Sequence, residues 1–155
     1  MKKSILLSII LIAQTTGVFA FGQEKNGQNQ KSRIVSVDWL SEHLNDPNLI
    51  ILHVANLRLE YNREHIPSAR FLWPSWLSTS TPDESIALNP VNDIKKILES
   101  LGISNSSRIV LTSTNMLITS ASRIFLVLDY LGLGDQTYIL DGGIEQWKAA
   151  GKPVT

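Results

Sequence analysis

Leu49-Ile50-Ile51-Leu52-His53-Val54 is an apolar run of strand length interrupted by a single imidazole. It does not alternate polar with apolar residues, which marks a strand covered on both faces, as in a parallel sheet between two helical layers. Arg108 to Leu111 and Tyr138 to Leu140 read the same way, with Ile34-Val35 and Ala69 to Leu72 as shorter companions. Between these runs the apolar spacing becomes helical. Val37, Trp39, Leu40 and Leu44 follow the capping residue Ser36 and end at Asp46-Pro47-Asn48. Val91, Ile94, Ile97, Leu98 and Leu101 follow Asn89-Pro90 and end at Gly102. Ile124, Phe125, Val127, Leu128 and Leu131 follow a start at Thr119 or Ser120, and a last helix runs from Ile144 to Ala150 after the tight turn Asp141-Gly142-Gly143. Glu60 to Glu64 suits one polar helical turn, and Trp73 to Leu88, with two prolines among Ser, Thr, Asp and Glu, reads as a long surface excursion. Strands alternating with helices through short connections predict the α/β class: a central parallel β-sheet flanked by helices on both faces.

Outward from this centre, the amino terminus has a different character. Met1-Lys2-Lys3 is positive, Ser4 to Ala13 is almost continuously apolar, and Val18-Phe19-Ala20 ends in small residues. Residues 1–20 therefore read as a secretory signal peptide cut after Ala20; polar residues after Ala13 leave the run too short for an uncleaved anchor. Residues 21–32, rich in Gln, Asn and Gly, read as a flexible leader, and residues 33–155 as one packed domain. The expected location is outside the cytoplasm, periplasmic or secreted, with no membrane segment once the signal is removed. Fourteen Lys and Arg balance fourteen Asp and Glu in the 155 residues, so no basic excess offers a footprint for nucleic acid. The chain has no cysteine, which excludes disulfides, Cys-ligated metals and any thiolate nucleophile.

Four stretches in fixed order carry a family likeness: Val35-Ser36-Val37-Asp38-Trp39-Leu40, Glu64-His65-Ile66-Pro67-Ser68-Ala69, Leu101-Gly102-Ile103-Ser104 and Leu140-Asp141-Gly142-Gly143-Ile144-Glu145-Gln146-Trp147. With them the chain resembles the rhodanese family from Ile34 to Thr155, in particular the amino-terminal half of tandem thiosulfate and 3-mercaptopyruvate sulfurtransferases. Gly151 to Thr155 resembles the segment where the first domain of such enzymes hands over to the second. The resemblance implies the rhodanese-like fold and a family reaction in which sulfane sulfur passes to a thiophilic acceptor such as cyanide or a thiol. It implies a persulfide-forming Cys in a partner domain, because Ala121-Ser122-Arg123 is similar to the Ala-Pro-Arg of the non-catalytic half. It also places Thr112 where a catalytic domain carries its Cys. The chain departs from the family pattern at His53 and Ala55, at the end of the second strand, and at Ser68, where the family has glycine.

The residues allow two functions. One is an exported rhodanese-like domain that cannot itself carry sulfur; the other is a non-catalytic homologue that binds an anion, such as thiosulfate, or a protein. The candidate anion-binding loop is Thr112-Ser113-Thr114-Asn115-Met116-Leu117, whose backbone N–H groups lead into a helix, with Arg123 one turn further on. A structural or surface ion pair is the competing role for Arg123. His43 is expected to face solvent, and His53 to be a satisfied, buried or half-buried imidazole. His65 reads either as a polar contact in the interdomain cleft that the resemblance implies or as a turn residue beside Pro67. No metal-spaced pair joins these histidines, so neither a metal nor a cofactor is expected. No Gly-x-Ser-x-Gly elbow is present. Asn105-Ser106-Ser107 satisfies the glycosylation triplet. Trp39 and Trp147 are expected in the core, and Trp73 and Trp76 in the excursion suit either packing or a partner-facing patch.

Overall fold

The computed structural model describes residues 32–80, 82–83, 87–114 and 118–155, so the expected signal peptide and the leader up to residue 31 lie outside the described residues. All described residues belong to one compact unit, Lys31–Thr155. Five strands, β1 (Ile34–Val35), β2 (Leu49–Val54), β3 (Arg70–Leu72), β6 (Arg108–Ser113) and β7 (Thr137–Leu140), form a sheet in the order β1-β7-β6-β2-β3 with every pairing parallel. At its centre β2 and β6 pair over six residues, from Leu49 opposite Arg108 to Val54 opposite Ser113.

Because side chains alternate along a strand, each central strand feeds two cores. Ile50, Leu52 and Val54 of β2 join Ile109 and Leu111 of β6 against α3 (Val91–Ser100) and α4 (Ile118–Tyr130). Ile51 and Val110 face the other way, against α1 (Val37–His43) and α5 (Gly143–Ala149), where Leu40 and Trp147 are fully buried. Each such buried side chain contributes about 1.5–3 kcal/mol. Helices cover both faces, and the unbroken apolar runs are thereby explained. Local chemistry sets the helix ends as the residues predict: Ser36 Oγ accepts from Trp39 N at 3.1 Å, and Gly102 takes a left-handed φ of 69° after α3.

Three expectations need correction. The excursion after Trp73 is not merely a surface loop: a 3-10 turn (Pro74–Trp76) and an antiparallel hairpin, β4 (Ser78–Thr79) with β5 (Ala87–Leu88), follow it. Leu77 is fully buried there and Trp76 packs on the α3/α4 core, because both meet an apolar face that the hairpin would otherwise leave wet. Second, β6 runs to Ser113, since Thr112 and Ser113 complete the ladder with His53 and Val54. Third, Trp39 is only half-buried, stacked on the His43 ring at 4.2 Å, and His43 is half-buried beneath it with Nδ1 2.7 Å from the Trp39 carbonyl.

Candidate functional site

The chain leaves the carboxyl ends of β2 and β6 toward opposite faces. After β2 it enters α2 (Arg58–Arg63), whose Tyr61 ring lies 5.6 Å from both His53 and Phe71 on the α1/α5 face. After β6 it enters α4, whose Ala121, Ile124 and Leu128 pack on the other face. In open α/β sheets such a divergence opens a crevice at the strand ends, where ligands bind. The start of α5 borders the same edge. Gly143 has a φ of 59°, and a Cβ on it would overlap the Ser113 carbonyl oxygen. Asp141-Gly142-Gly143 is thus a close-approach motif that brings α5 against the end of β6.

Thr112, the position aligned by resemblance with the sulfur-carrying Cys, is a strand residue opposite His53, 1% exposed, with no hydrogen-bond partner for Oγ1. Ser113 is buried on the opposite side. Thr114, half-buried, is the first residue beyond the strand. Asn115, Met116 and Leu117 lie outside the described residues. Arg123 does not turn toward Thr112: its Nε donates to Ser78 Oγ at 2.8 Å and its Nη1 to Ser80 Oγ at 3.4 Å. Among the described residues its hydrogen-bond partners are therefore hydroxyls of the hairpin.

His53 is the second correction at the site. It is buried as expected but not satisfied: with no exposed surface, neither Nδ1 nor Nε2 has a hydrogen-bond partner. Burial, and then the charge of His65, lower its pKa from 6.5 to about 4, so the ring is neutral near pH 7. Its cross-strand neighbours are Thr112, whose Oγ1 is likewise without a hydrogen-bond partner, and an aromatic ring, Phe71. His65 lies outside the sheet, stacked on Tyr61 at 3.9 Å, with Nδ1 2.8 Å from the Tyr61 carbonyl and Nε2 3.2 Å from Thr155 Oγ1. It makes polar contacts and also stands in the turn beside Pro67. Tyr61, between the two histidines, was hidden in a segment that reads as merely polar; its spacing of four from His65 was the available signal.

Chemically, the edge offers hydroxyls, a neutral imidazole and the carboxylate of Glu145, whose buried Oε2 has no hydrogen-bond partner. Among the described residues no group of three His, Asp or Glu is disposed to hold a metal ion. A hydroxyl, with its far higher pKa, does not carry sulfane sulfur as a thiolate does. A separate groove of about 460 Å³, lined by Val91, Leu98, Ile103, Leu131 and Leu133 with Lys95 and Glu99, lies near the amino ends of β6 and β7, away from the crevice.

The profile of the rhodanese-like domain matches residues 36–150. The chain is 32% identical over 128 residues to the sulfur carrier protein TtuD of Thermus thermophilus, covering 79% of this chain and 41% of that protein. It is 28% identical over 141 residues to the mitochondrial thiosulfate/3-mercaptopyruvate sulfurtransferase 1 of Arabidopsis thaliana, covering 86% and 37%. It is also 29% identical over 136 residues to a probable 3-mercaptopyruvate sulfurtransferase of Pseudomonas aeruginosa, covering 80% and 47%. The chain thus spans less than half the length of these curated relatives. The crystal structure of the 3-mercaptopyruvate sulfotransferase SseA of Escherichia coli superposes with a TM-score of 0.69 at 25% identity, covering 81% of this chain and 52% of that one.

Proposed function

Because this chain belongs to the rhodanese-like domain family, we propose that it is the counterpart of the amino-terminal, non-catalytic half of a thiosulfate/3-mercaptopyruvate sulfurtransferase, inactive by itself. The observation that carries this reading is the lack of any cysteine in the whole chain. Sulfane transfer needs a nucleophile that is deprotonated near neutral pH and stable as a persulfide, and neither Thr112, buried in β6, nor Thr114, just beyond it, supplies one. Its partner is a second, Cys-containing rhodanese domain, in keeping with relatives more than twice as long as the matched region. Residues 1–20 direct export.

The test is the purified chain with thiosulfate and cyanide: no thiocyanate is expected, and turnover that survives purification overturns the reading. Adding a separately purified Cys-bearing rhodanese domain is expected to leave a stable complex on size-exclusion chromatography. Amino-terminal sequencing of exported material is expected to begin at Phe21, and a chain retaining Met1 refutes the export reading.

A further inference from the structure

We propose that His53 is the trigger of an acid-operated latch: when it takes up a proton, α2 and Thr155 come away from the domain, while Pro153, whose carbonyl accepts from the buried Trp147 Nε1 at 2.7 Å, stays in place with the sheet and both cores. The imidazole has no exposed surface and no partner at either nitrogen. Neutral, it costs the desolvation of one donor and one acceptor; protonated, it would be a buried charge with two unpaired donors. The groups packed around it give no relief. Thr112 faces it from β6 and Phe71 from β3, Tyr61 faces it from α2, and His65 acts on it from behind Tyr61 as a like charge. Arg58 lies over the Phe71 ring at 5.2 Å and adds positive charge, while the carboxylates of Glu60 on α2 and Glu145 on α5, each with a buried Oε2, make no bond to the imidazole. Among the described residues no carboxylate bonds to the ring.

The cover over His53 is thin. None of the six residues of α2 is buried. The helix is held by Tyr61, whose hydroxyl donates to the Ala69 carbonyl at 2.8 Å and whose ring stands edge-on to His53, and by the ion pair of Lys148 with Glu64. The other side of Tyr61 stacks on His65, and His65 holds Thr155 by two main-chain hydrogen bonds of 2.9 Å. Water reaches a protonated His53 most directly by displacing Tyr61, and Tyr61 connects the helix through His65 to Thr155. By contrast β2 and β6 are locked by six paired residues and two apolar layers. The low imidazole pKa, about 4, sets opening in the acid range.

Amide hydrogen exchange, corrected for its intrinsic pH dependence, tests this at pH 6.5 and pH 4. Protection at Glu64, His65 and Thr155 is expected to fall at least tenfold relative to Leu52 and Leu111, and His53→Leu is expected to abolish that differential fall. Since His53→Leu keeps the Lys148–Glu64 pair, it separates the imidazole from carboxylate titration. Should the variant fold poorly, ring ¹⁵N shifts of the unaltered protein serve instead, because protonation of His53 must coincide with the loss of protection. The same fall in His53→Leu, His53 titrating with those amides unmoved, or the sheet losing protection in step would each overturn the latch.

Discussion

Replacing Gly143 with alanine probes the contact that brings α5 against the end of β6. Two costs follow from the structure. A side chain at a φ of 59° is held in the left-handed region, at roughly 1–2 kcal/mol. The added Cβ would also overlap the Ser113 carbonyl oxygen and stand 3.3 Å from its carbon, and neither atom is at the end of a flexible side chain. Forcing backbone apart in a packed interior costs about 1–3 kcal/mol more. The total, about 2–5 kcal/mol, is a large share of the ~5–15 kcal/mol that holds a typical domain together. Gly151 is the control: its φ is 69°, but nothing lies within 4 Å of its Cβ position, so Gly151→Ala carries strain alone. Urea unfolding followed by tryptophan fluorescence measures both variants, with Trp147 of α5 as a buried reporter. Gly143→Ala is expected to lose about 1–3 kcal/mol more than Gly151→Ala. Equal losses would refute the close approach and leave the double glycine as a turn preference only.

Three further outcomes are expected. His53 has a folded pKa below its unfolded one, so the unfolded chain binds more protons between pH 6.5 and about 4; stability is full above that window and falls by at most about 3 kcal/mol as pH drops through it, and urea midpoints that are equally pH-dependent in His53→Leu would disprove the assignment. Ser68 is the non-glycine residue with positive φ among those described, at 64°, so Ser68→Gly is expected to raise stability by about 0.5–1 kcal/mol, read as a higher melting temperature; a decrease would mean its side chain is worth more than the strain. Thr112→Cys is expected to stay silent in the thiosulfate–cyanide assay and to react with an aromatic disulfide reagent only on unfolding, because that side chain is buried; rapid labelling of the native variant would place residue 112 in the loop instead.

The fold was legible because its decisive elements carry strong local signals. The unbroken runs around Ile51 and Val110 have no other economical explanation than burial on both faces, Ser36 announces a helix start by its capping hydroxyl, and Gly102 and Gly151 announce helix ends by their backbones. The site was less legible. The end of β6 was missed because Thr112 and Ser113 are polar, and only cross-strand pairing with His53 and Val54 extends the ladder that far. The hairpin after Trp73 depends on Leu77 finding the α3/α4 core, a contact between segments distant in sequence. Arg123 looked like a ligand or an ion-pair partner because nothing near it in sequence reveals that Ser78 and Ser80 fold back to meet it. Ser68 was noticed as a departure from glycine, but its strain becomes visible only with its φ.

The ladder between β2 and β6 has a consequence for how the chain reaches this state. Its two halves are neighbours in space, yet β3, the hairpin and α3 all intervene between them along the chain. The entropy of bringing those distant ends together must be spent before the central pairing returns anything, which slows folding relative to a fold of local contacts. Closure entropy grows only logarithmically with the number of intervening residues, so lengthening the tip between β4 and β5 would slow that search little and leave the finished sheet almost as stable.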